Sequence, residues 1–173
     1  MRRILAGFLL IVMFTAGFSG CSKTKNPVSP VEPTITETIK LYYADEKNEK
    51  LLTEERQISY QKNQDKYRLT VETLLKGPTN SNYRLNISPD TRVYGTIRQN
   101  DKIIIDLSKD FNRFGGSMAE ILGVGALVDT LTQFEGLKEV KILVEGEEYI
   151  GPSGQPRGFM KTFPASAAQN NNM

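Results

Sequence analysis

The chain has 173 residues, no histidine and a single cysteine. It therefore cannot form an intramolecular disulfide, a Ser-His-Asp triad, a Cys-His pair or a zinc site built from imidazole and thiolate ligands. The composition, 39% hydrophobic and 24% charged with a formal net charge of +2, is typical of a globular domain and lacks the basic excess that nucleic-acid binding requires.

The first twenty residues have the pattern of an export signal. Two arginines follow the initial methionine, and residues 4–18 form a mostly apolar run. This run is shorter than the roughly twenty apolar residues that cross a bilayer, which favours a signal peptide over residues 1–20. The segment Phe18-Ser19-Gly20-Cys21 resembles the lipobox of bacterial lipoproteins. That resemblance implies that Cys21 carries a diacylglyceryl lipid and becomes the first residue of the mature protein.

Residues 21–36 are predicted to form the lipidated cysteine and a flexible tether, because this segment is polar and contains three prolines. Removal of the signal peptide leaves 22 − 2 = 20 basic residues against 20 acidic ones. The mature protein is then near neutral, so we expect attachment to the membrane through Cys21 and no nucleic-acid partner. Residues 164–173 are predicted to be a disordered tail.

The folded part begins with a predicted hairpin and helix. Apolar residues alternate over 39–43, the charged segment 45–50 predicts a turn, and a second strand is predicted over 51–58. From Gln64 the apolar spacing changes to that of one helix face. Gly77-Pro78 is predicted to end this helix, because glycine adopts the left-handed cap and proline cannot continue the helix.

A second hairpin and a second helix follow. Residues 92–98 and 102–107 have the pattern of two paired strands. Ser117 with Glu120 three residues later predicts a capping box, and apolar residues continue at helical spacing until Gly136. This segment is the strongest helix prediction in the chain.

Two more strands, over 140–144 and 159–163, complete the predicted domain at residues 37–163. The order of elements predicts an α+β fold, a two-layer sandwich with two helices on one face of a small mixed sheet. The 140–144 strand is expected to pair beside an earlier strand through a right-handed crossover. An open sheet face and free edges favour contacts with other proteins over an enclosed substrate pocket.

Five segments along these elements are similar to segments of a known protein family. They are Ile39 to Tyr43, Leu74-Leu75-Lys76-Gly77-Pro78, Ile104 to Ser108 with Phe111, Leu131-Thr132-Gln133-Phe134, and Val144-Glu145-Gly146. Together they cover nearly the whole domain and resemble the GerMN (germane) domain of sporulation and spore germination lipoproteins. The resemblance implies a fold related to the ring-building motifs of sporulation machinery, a role in assembling envelope complexes, and no known catalytic, cofactor or metal-binding residues. Only one copy of the pattern fits this chain.

Several residues could carry chemistry, and each has a simpler interpretation. Asp106 and Asp110 could act as a general acid and base, but acids at a strand exit usually cap the next turn. Gly115-Gly116 could bind an anion at a helix start, but most such pairs are loops. Gly123 and Gly125 form a GxG pattern inside a predicted helix, which is the wrong context for nucleotide binding, and close packing explains Gly125 better.

Two further features could be binding elements. The loop Gly151 to Pro156 could contact a partner, although a plain connector is the simpler interpretation. Tyr42, Tyr94 and Tyr149 could form one exposed aromatic surface, although tyrosines on small sheets more often complete the edge of the core. Bases outnumber acids between residues 61 and 113, and the balance reverses from 114 to 149, which indicates either ordinary solvated faces or a dipole for head-to-tail association.

These observations favour a non-enzymatic lipoprotein on the extracytoplasmic face of the cell membrane. We expect it to contribute protein contacts to an envelope complex in sporulation or germination. Its expected partners are envelope proteins or further copies of the chain in a homo-oligomer. A ligand-binding module for a wall fragment or small molecule is the first alternative. A wall hydrolase that uses Asp106 and Asp110 is the second. No cofactor is expected.

Overall fold

The computed structural model describes residues 33–151 and 154–162 of the chain. The predicted signal peptide, the predicted lipidation site Cys21 and the predicted tail from residue 164 lie outside these residues.

The first sheet is built on a long antiparallel hairpin. Strands β1 (Thr34–Asp45) and β2 (Leu51–Gln61) pair in a continuous register from Thr34 opposite Gln61 to Ala44 opposite Leu51. The short strand β3 (Tyr83–Arg84) pairs with the end of β1 and gives the order β2-β1-β3. Residues 34–36, which the sequence analysis placed in the tether, belong to this sheet because they pair with residues 59–61.

The second sheet contains the later strands. Strands β4 (Val93–Gln99), β5 (Lys102–Leu107), β6 (Glu139–Val144) and β7 (Glu147–Glu148) lie side by side in that order, and β8 (Phe159–Met160) pairs with β6. The β5 and β6 strands are parallel, as the predicted crossover requires, and the other pairs are antiparallel.

Two helices connect the strands. Helix α1 (Lys66–Leu75) is capped by Asp65, whose carboxylate accepts the backbone N–H groups of Tyr67 at 3.0 Å and Arg68 at 3.1 Å. Gly77 follows this helix with φ +82°, as the predicted glycine stop requires. Helix α2 (Ser117–Thr132) follows a 3-10 turn over Lys109–Asn112.

The predicted capping box is wrong. Ser117 is the first residue of α2, and the cap is Gly116, which has φ +125° and offers no side chain to the helix. The Glu120 carboxylate, which the capping box would have used, accepts the hydroxyl of Tyr149 instead. The helix therefore starts one residue earlier than the Ser-x-x-Glu pattern requires, because the positive φ at Gly116 makes the turn into the helix.

One hydrophobic core joins both sheets and both helices. It includes Leu41 of β1, Leu74 of α1, Ile105 of β5, Leu127 of α2 and Ile142 of β6, none of them more than 1% exposed. Burial of each such side chain contributes about 1.5–3 kcal/mol to folding. The predicted α+β class is confirmed, and the strands are divided between two sheets that share this core.

Candidate interaction surfaces

Gln133, which belongs to the family segment Leu131-Thr132-Gln133-Phe134, and the nearby Thr130 fix the end of α2 to the free edge of β1. The backbone N–H of Lys40 donates to Oε1 of Gln133 at 2.6 Å, and Nε2 of Gln133 donates to the carbonyl of Lys40 at 2.7 Å. Nearby, the N–H of Tyr42 donates to the hydroxyl of the fully buried Thr130 at 3.2 Å. These side chains supply the hydrogen bonds that another strand would make, so this part of the β1 edge is closed to partners.

The Leu-Leu-Lys-Gly-Pro segment is held by the first hairpin. The buried hydroxyl of Tyr43 donates to the carbonyl of Leu74 at 3.1 Å, and burial raises the pKa of Tyr43 to about 12. Arg56 donates to the carbonyl of Gly77 at 2.8 Å. The Glu54 carboxylate accepts the backbone N–H groups of Thr79 at 2.9 Å and Asn80 at 3.2 Å.

The pKa of Glu54 reports on that joint. Burial acts to raise this pKa, but the hydrogen bonds from Arg56, Thr79 and Asn80 together outweigh burial and hold it below its usual value. The ionised carboxylate is therefore part of the fold.

The carboxylates at the ends of β5 and β6 each bind donors of their own. Asp106 accepts the N–H of Gly146 at 2.9 Å. Glu145 accepts the N–H of Lys109 at 2.8 Å and the hydroxyl of Tyr94 at 3.0 Å, and these two bonds lower its pKa.

The two carboxylates of the predicted acid pair make separate structural contacts. Asp110 accepts the hydroxyl of Ser108 at 3.3 Å and forms an ion pair with Arg113 at 3.0 Å. Asp106 instead holds the turn after β6 through its bond to Gly146. The simpler interpretation, a role in the following turn, fits Asp110, whereas Asp106 bonds the turn after β6 and not the turn after its own strand. This geometry gives no support to the wall-hydrolase alternative.

The glycine candidates have structural roles where the structure shows a close approach. A Cβ atom on Gly123 would lie 3.0 Å from Cε1 of Phe114 and 3.3 Å from the carbonyl oxygen of Asn86, so α2 packs closely against both residues at this position. Gly125 is buried in the same helix. Gly115 has no atom within 4 Å of such a Cβ and lies in an open part of the loop.

The remaining two candidates do not form common surfaces. Tyr149 is 3% exposed and part of the core, Tyr42 is half-buried, and only Tyr94 is exposed. In the loop after β7, Ile150 bridges to Pro156 and Gly151 donates to the carbonyl of Gln155 at 3.3 Å. Its described residues therefore form a closed turn, consistent with a connector.

One side of the second sheet carries exposed apolar residues, and we call it the outer face. A β-bulge between Val93 and Gly95 shifts the alternation of β4, so that Tyr94 and Ile97 share this face with Ile104 of β5 and Leu143 of β6. Ile97 is 59% exposed and lies directly opposite Ile104.

Charged residues beside the outer face are paired with one another. Lys102 binds Glu139 at 2.8 Å, and Lys141 binds Glu148 at 2.6 Å. The ring of Phe159 lies over Lys102, with the ammonium 4.7 Å from its centroid. Because these charges already have partners, the surface left for another molecule is mainly apolar.

A second surface is an open groove between α1 and the segment that leads into β4, and we call it the α1–β4 groove. Its volume is about 660 Å³. It is lined by Arg68, Glu72, Leu75, Lys76, Pro89, Thr91, Arg92, Val93 and Tyr94. Sequence reasoning missed this groove because its residues come from two segments with no shared motif, and only the bases between residues 61 and 113 pointed toward it.

The described residues contain neither a cluster of metal-ligating side chains nor a helix that could cross a membrane. No three His, Cys, Asp or Glu side chains in residues 33–151 and 154–162 lie close enough together to hold a metal ion. Neither α1 nor α2 combines the length and apolar character that a membrane-crossing helix needs.

The fold defines the class of protein, a small α+β domain in which segments that resemble the GerMN domain connect neighbouring elements through hydrogen bonds. Residues 40–150, more than half of the chain, match the Germane family, described as sporulation and spore germination. The chain belongs to this family, and the resemblance noted in the sequence is confirmed. No curated protein sequence matches the chain significantly.

Solved structures share the fold. The tandem GerMN domains of the sporulation protein GerM from Bacillus subtilis superpose with a TM-score of 0.57 and 15% identity, over 74% of this chain and 45% of that one. The first GerMN domain of the same protein superposes with a TM-score of 0.54 and 23% identity, over 69% of this chain and 92% of that domain. A candidate lipoprotein from Clostridium perfringens superposes with a TM-score of 0.51 and 19% identity, over 74% of this chain and 87% of that one. This chain thus spans less than half of the tandem-domain structure.

Proposed function

We propose that this Germane-family protein is a lipoprotein, anchored by Cys21 on the extracytoplasmic face of the cell membrane, that contributes protein contacts to an envelope complex in sporulation or spore germination. The family supports the biological setting. The lipobox resemblance at Phe18-Ser19-Gly20-Cys21 supports the anchor.

The observation that carries the contact role is the outer face. The exposed Ile97 and Tyr94 of β4 lie there beside the half-buried Ile104 of β5 and Leu143 of β6, so the apolar surface extends across three strands. Such a patch on a small domain is typical of a protein interaction site, and the paired charges around it resemble the polar rim of an interface.

Fractionation of cells that express Cys21→Ala tests the anchor. We expect the wild-type chain in the detergent-extractable membrane fraction, and the variant to remain unprocessed or to leave that fraction on washing with salt. A variant that behaves as the wild type in both respects would refute the anchor.

Substitutions on the outer face test the contact role. Ile97→Asp combined with Leu143→Asp places two charges on this face, and we expect sporulation or germination to fall while the protein level in membranes is retained. The paired control, Thr53→Asp with Gln57→Asp, adds the same charge at exposed positions of β2. Equal phenotypes for the two double variants would contradict the proposal.

The α1–β4 groove favours a second candidate, a ligand-binding module. Its volume falls within the roughly 300–1,000 Å³ range of ligand sites.

A further inference from the structure

We infer that the α1–β4 groove binds an extended acidic segment of another envelope protein, which adds to the edge of β4. The partner's setting rests on the proposed assembly role, but the groove and the chemistry of its occupant follow from the residues that line it.

The first observation is a buried polar group without a partner. Thr91 lines the groove, is 5% exposed, and its hydroxyl has no hydrogen-bond partner among the described residues. Buried hydroxyls in folded proteins are nearly always bonded, and leaving one unsatisfied costs about 1–3 kcal/mol. Because Thr91 lines the groove, rotation of its side chain about χ1 on binding would bring this hydroxyl to a ligand oxygen, which would supply the missing acceptor.

The second observation is the charge of the groove. Arg68 is paired with Glu72 at 2.7 Å. Lys76 and Arg92 form no ion pair with a carboxylate in the described part of the chain. Two exposed cations outside any close ion pair therefore line one open cavity, and of the two Arg92 also helps to lower the pKa of Glu145. This charge favours a ligand that carries carboxylates.

The third observation identifies the ligand as a peptide. The strand β4 is the last strand of its sheet, so one row of its backbone N–H and C=O groups is unpaired. Both the buried Val93 and the exposed Tyr94 line the groove, which places the groove along this edge and not over one face. Strand addition to an exposed edge next to a helix is an established mode of peptide recognition.

The fourth observation concerns side-chain pockets and the rest of the surface. Leu75, Pro89 and Val93 give the groove apolar walls between the cations. Alternate residues of an added strand point to opposite sides, so a segment with alternating acidic and apolar residues matches this lining. The free edge of β1 offers no equivalent site, because Gln133 and Thr130 close it.

Binding of a defined peptide to the full-length chain in detergent micelles tests the inference. The probe is a blocked hexapeptide of alternating glutamate and valine, and its matched control has glutamine in place of glutamate. We expect binding that weakens as salt is added, with the largest NMR amide shifts on β4 and none on β2, the edge strand of the other sheet.

Three variants of the chain separate the contributions. The double variant Lys76→Gln, Arg92→Gln should weaken peptide binding by about tenfold or more, the loss expected for at least one charge-assisted hydrogen bond. The control Lys47→Gln, Lys62→Gln removes two exposed charges elsewhere and should bind as the wild type.

Thr91→Val is the decisive variant. It removes the unsatisfied hydroxyl without changing the shape of the side chain, so its unfolding free energy should equal or exceed that of the wild type while its peptide affinity falls several-fold. A merely structural role for Thr91 would lower stability and leave affinity unchanged.

Several results would overturn the inference. They are equal binding of the glutamate and glutamine peptides, equal affinity of the wild type and the double variant, and amide shifts that avoid β4. Variant-sensitive binding of a soluble muropeptide, of inorganic phosphate or of phosphatidylglycerol vesicles, with no binding of the hexapeptide, would also refute a peptide occupant. The outer-face substitutions test the assembly role separately. If the wild-type chain does not bind the peptide but the outer-face variant still impairs sporulation or germination, only the groove inference is refuted.

Discussion

Thr130→Val tests the joint between α2 and β1 most sharply. The substitution keeps the shape of the side chain and removes the hydroxyl that accepts the N–H of Tyr42 at 3.2 Å. Because Thr130 is 0% exposed, water cannot reach the hydroxyl's place, and the Tyr42 N–H is left without its acceptor. An unsatisfied buried donor costs about 1–3 kcal/mol, so we expect the free energy of unfolding to fall by about that amount.

The assay is urea unfolding followed by circular dichroism, since the chain has no tryptophan to serve as a fluorescent probe. Thr132→Val is the matched control. That hydroxyl donates to the carbonyl of Val128 in its own helix at 3.0 Å and lies 3.2 Å from the hydroxyl of Thr162, both of which keep access to other partners, so its loss should change stability by about 1 kcal/mol or less. An equal cost for the two substitutions would refute the assignment of Thr130 to the β1 edge.

Three further predictions concern stability. Glu54→Gln should destabilise the protein at neutral pH and make its stability less sensitive to acid, as measured by urea unfolding at several pH values. The pKa of Glu54 is lowered in the folded state, so the stability that its carboxylate contributes is complete above the unfolded pKa of about 4.3 and is lost as pH falls through the folded pKa. An unchanged pH dependence would contradict this. Gly123→Ala should lower the melting temperature despite a helix-propensity gain of about 1 kcal/mol, because the new Cβ would lie 3.0 Å from Phe114. In the control Gly115→Ala the new Cβ meets no atom within 4 Å, and equal melting temperatures for the two variants would count against close packing at Gly123. Ile97→Lys should change the unfolding free energy by about 0.5 kcal/mol or less, because Ile97 is 59% exposed, and a larger loss would mean that the outer face belongs to the core.

The strands of the second sheet could be predicted from the sequence because one face is buried and the other is not. In β5 and β6 every second residue is in the core, from Ile103 to Leu107 and from Val140 to Val144, so the period of two is visible in the sequence. The same property fixes their register, and the helix that connects them made the parallel pairing predictable.

The division into two sheets could not be predicted, because it depends on distant side chains. Gln133 lies 93 positions from Lys40, yet its amide takes the place of a neighbouring strand on β1. The extension of β1 back to Thr34 was missed for a related reason. Residues 34–36 are exposed, so they lack the apolar alternation that marks a strand, and pairing with β2 alone defines them.

The candidate surfaces show the same limit. The exposed position of Tyr94 depends on a bulge in β4 that no local signal reveals. The α1–β4 groove joins Thr91 to Lys76 across the chain, and neither residue is unusual by itself. The family segments were informative in another way, because the structure shows that two of their residues, Gln133 and Gly77, take part in hydrogen bonds that hold elements together.

The most direct test of the central claim is photo-cross-linking in living cells. A photoreactive residue in place of Ile97 should give adducts of discrete mass with an envelope protein or a second copy of the chain during sporulation or germination, and the same residue in place of Lys62 should not. Adducts at neither position through growth, sporulation and germination, or the same adducts at both, would contradict the proposal that the outer face is where this protein meets its partners.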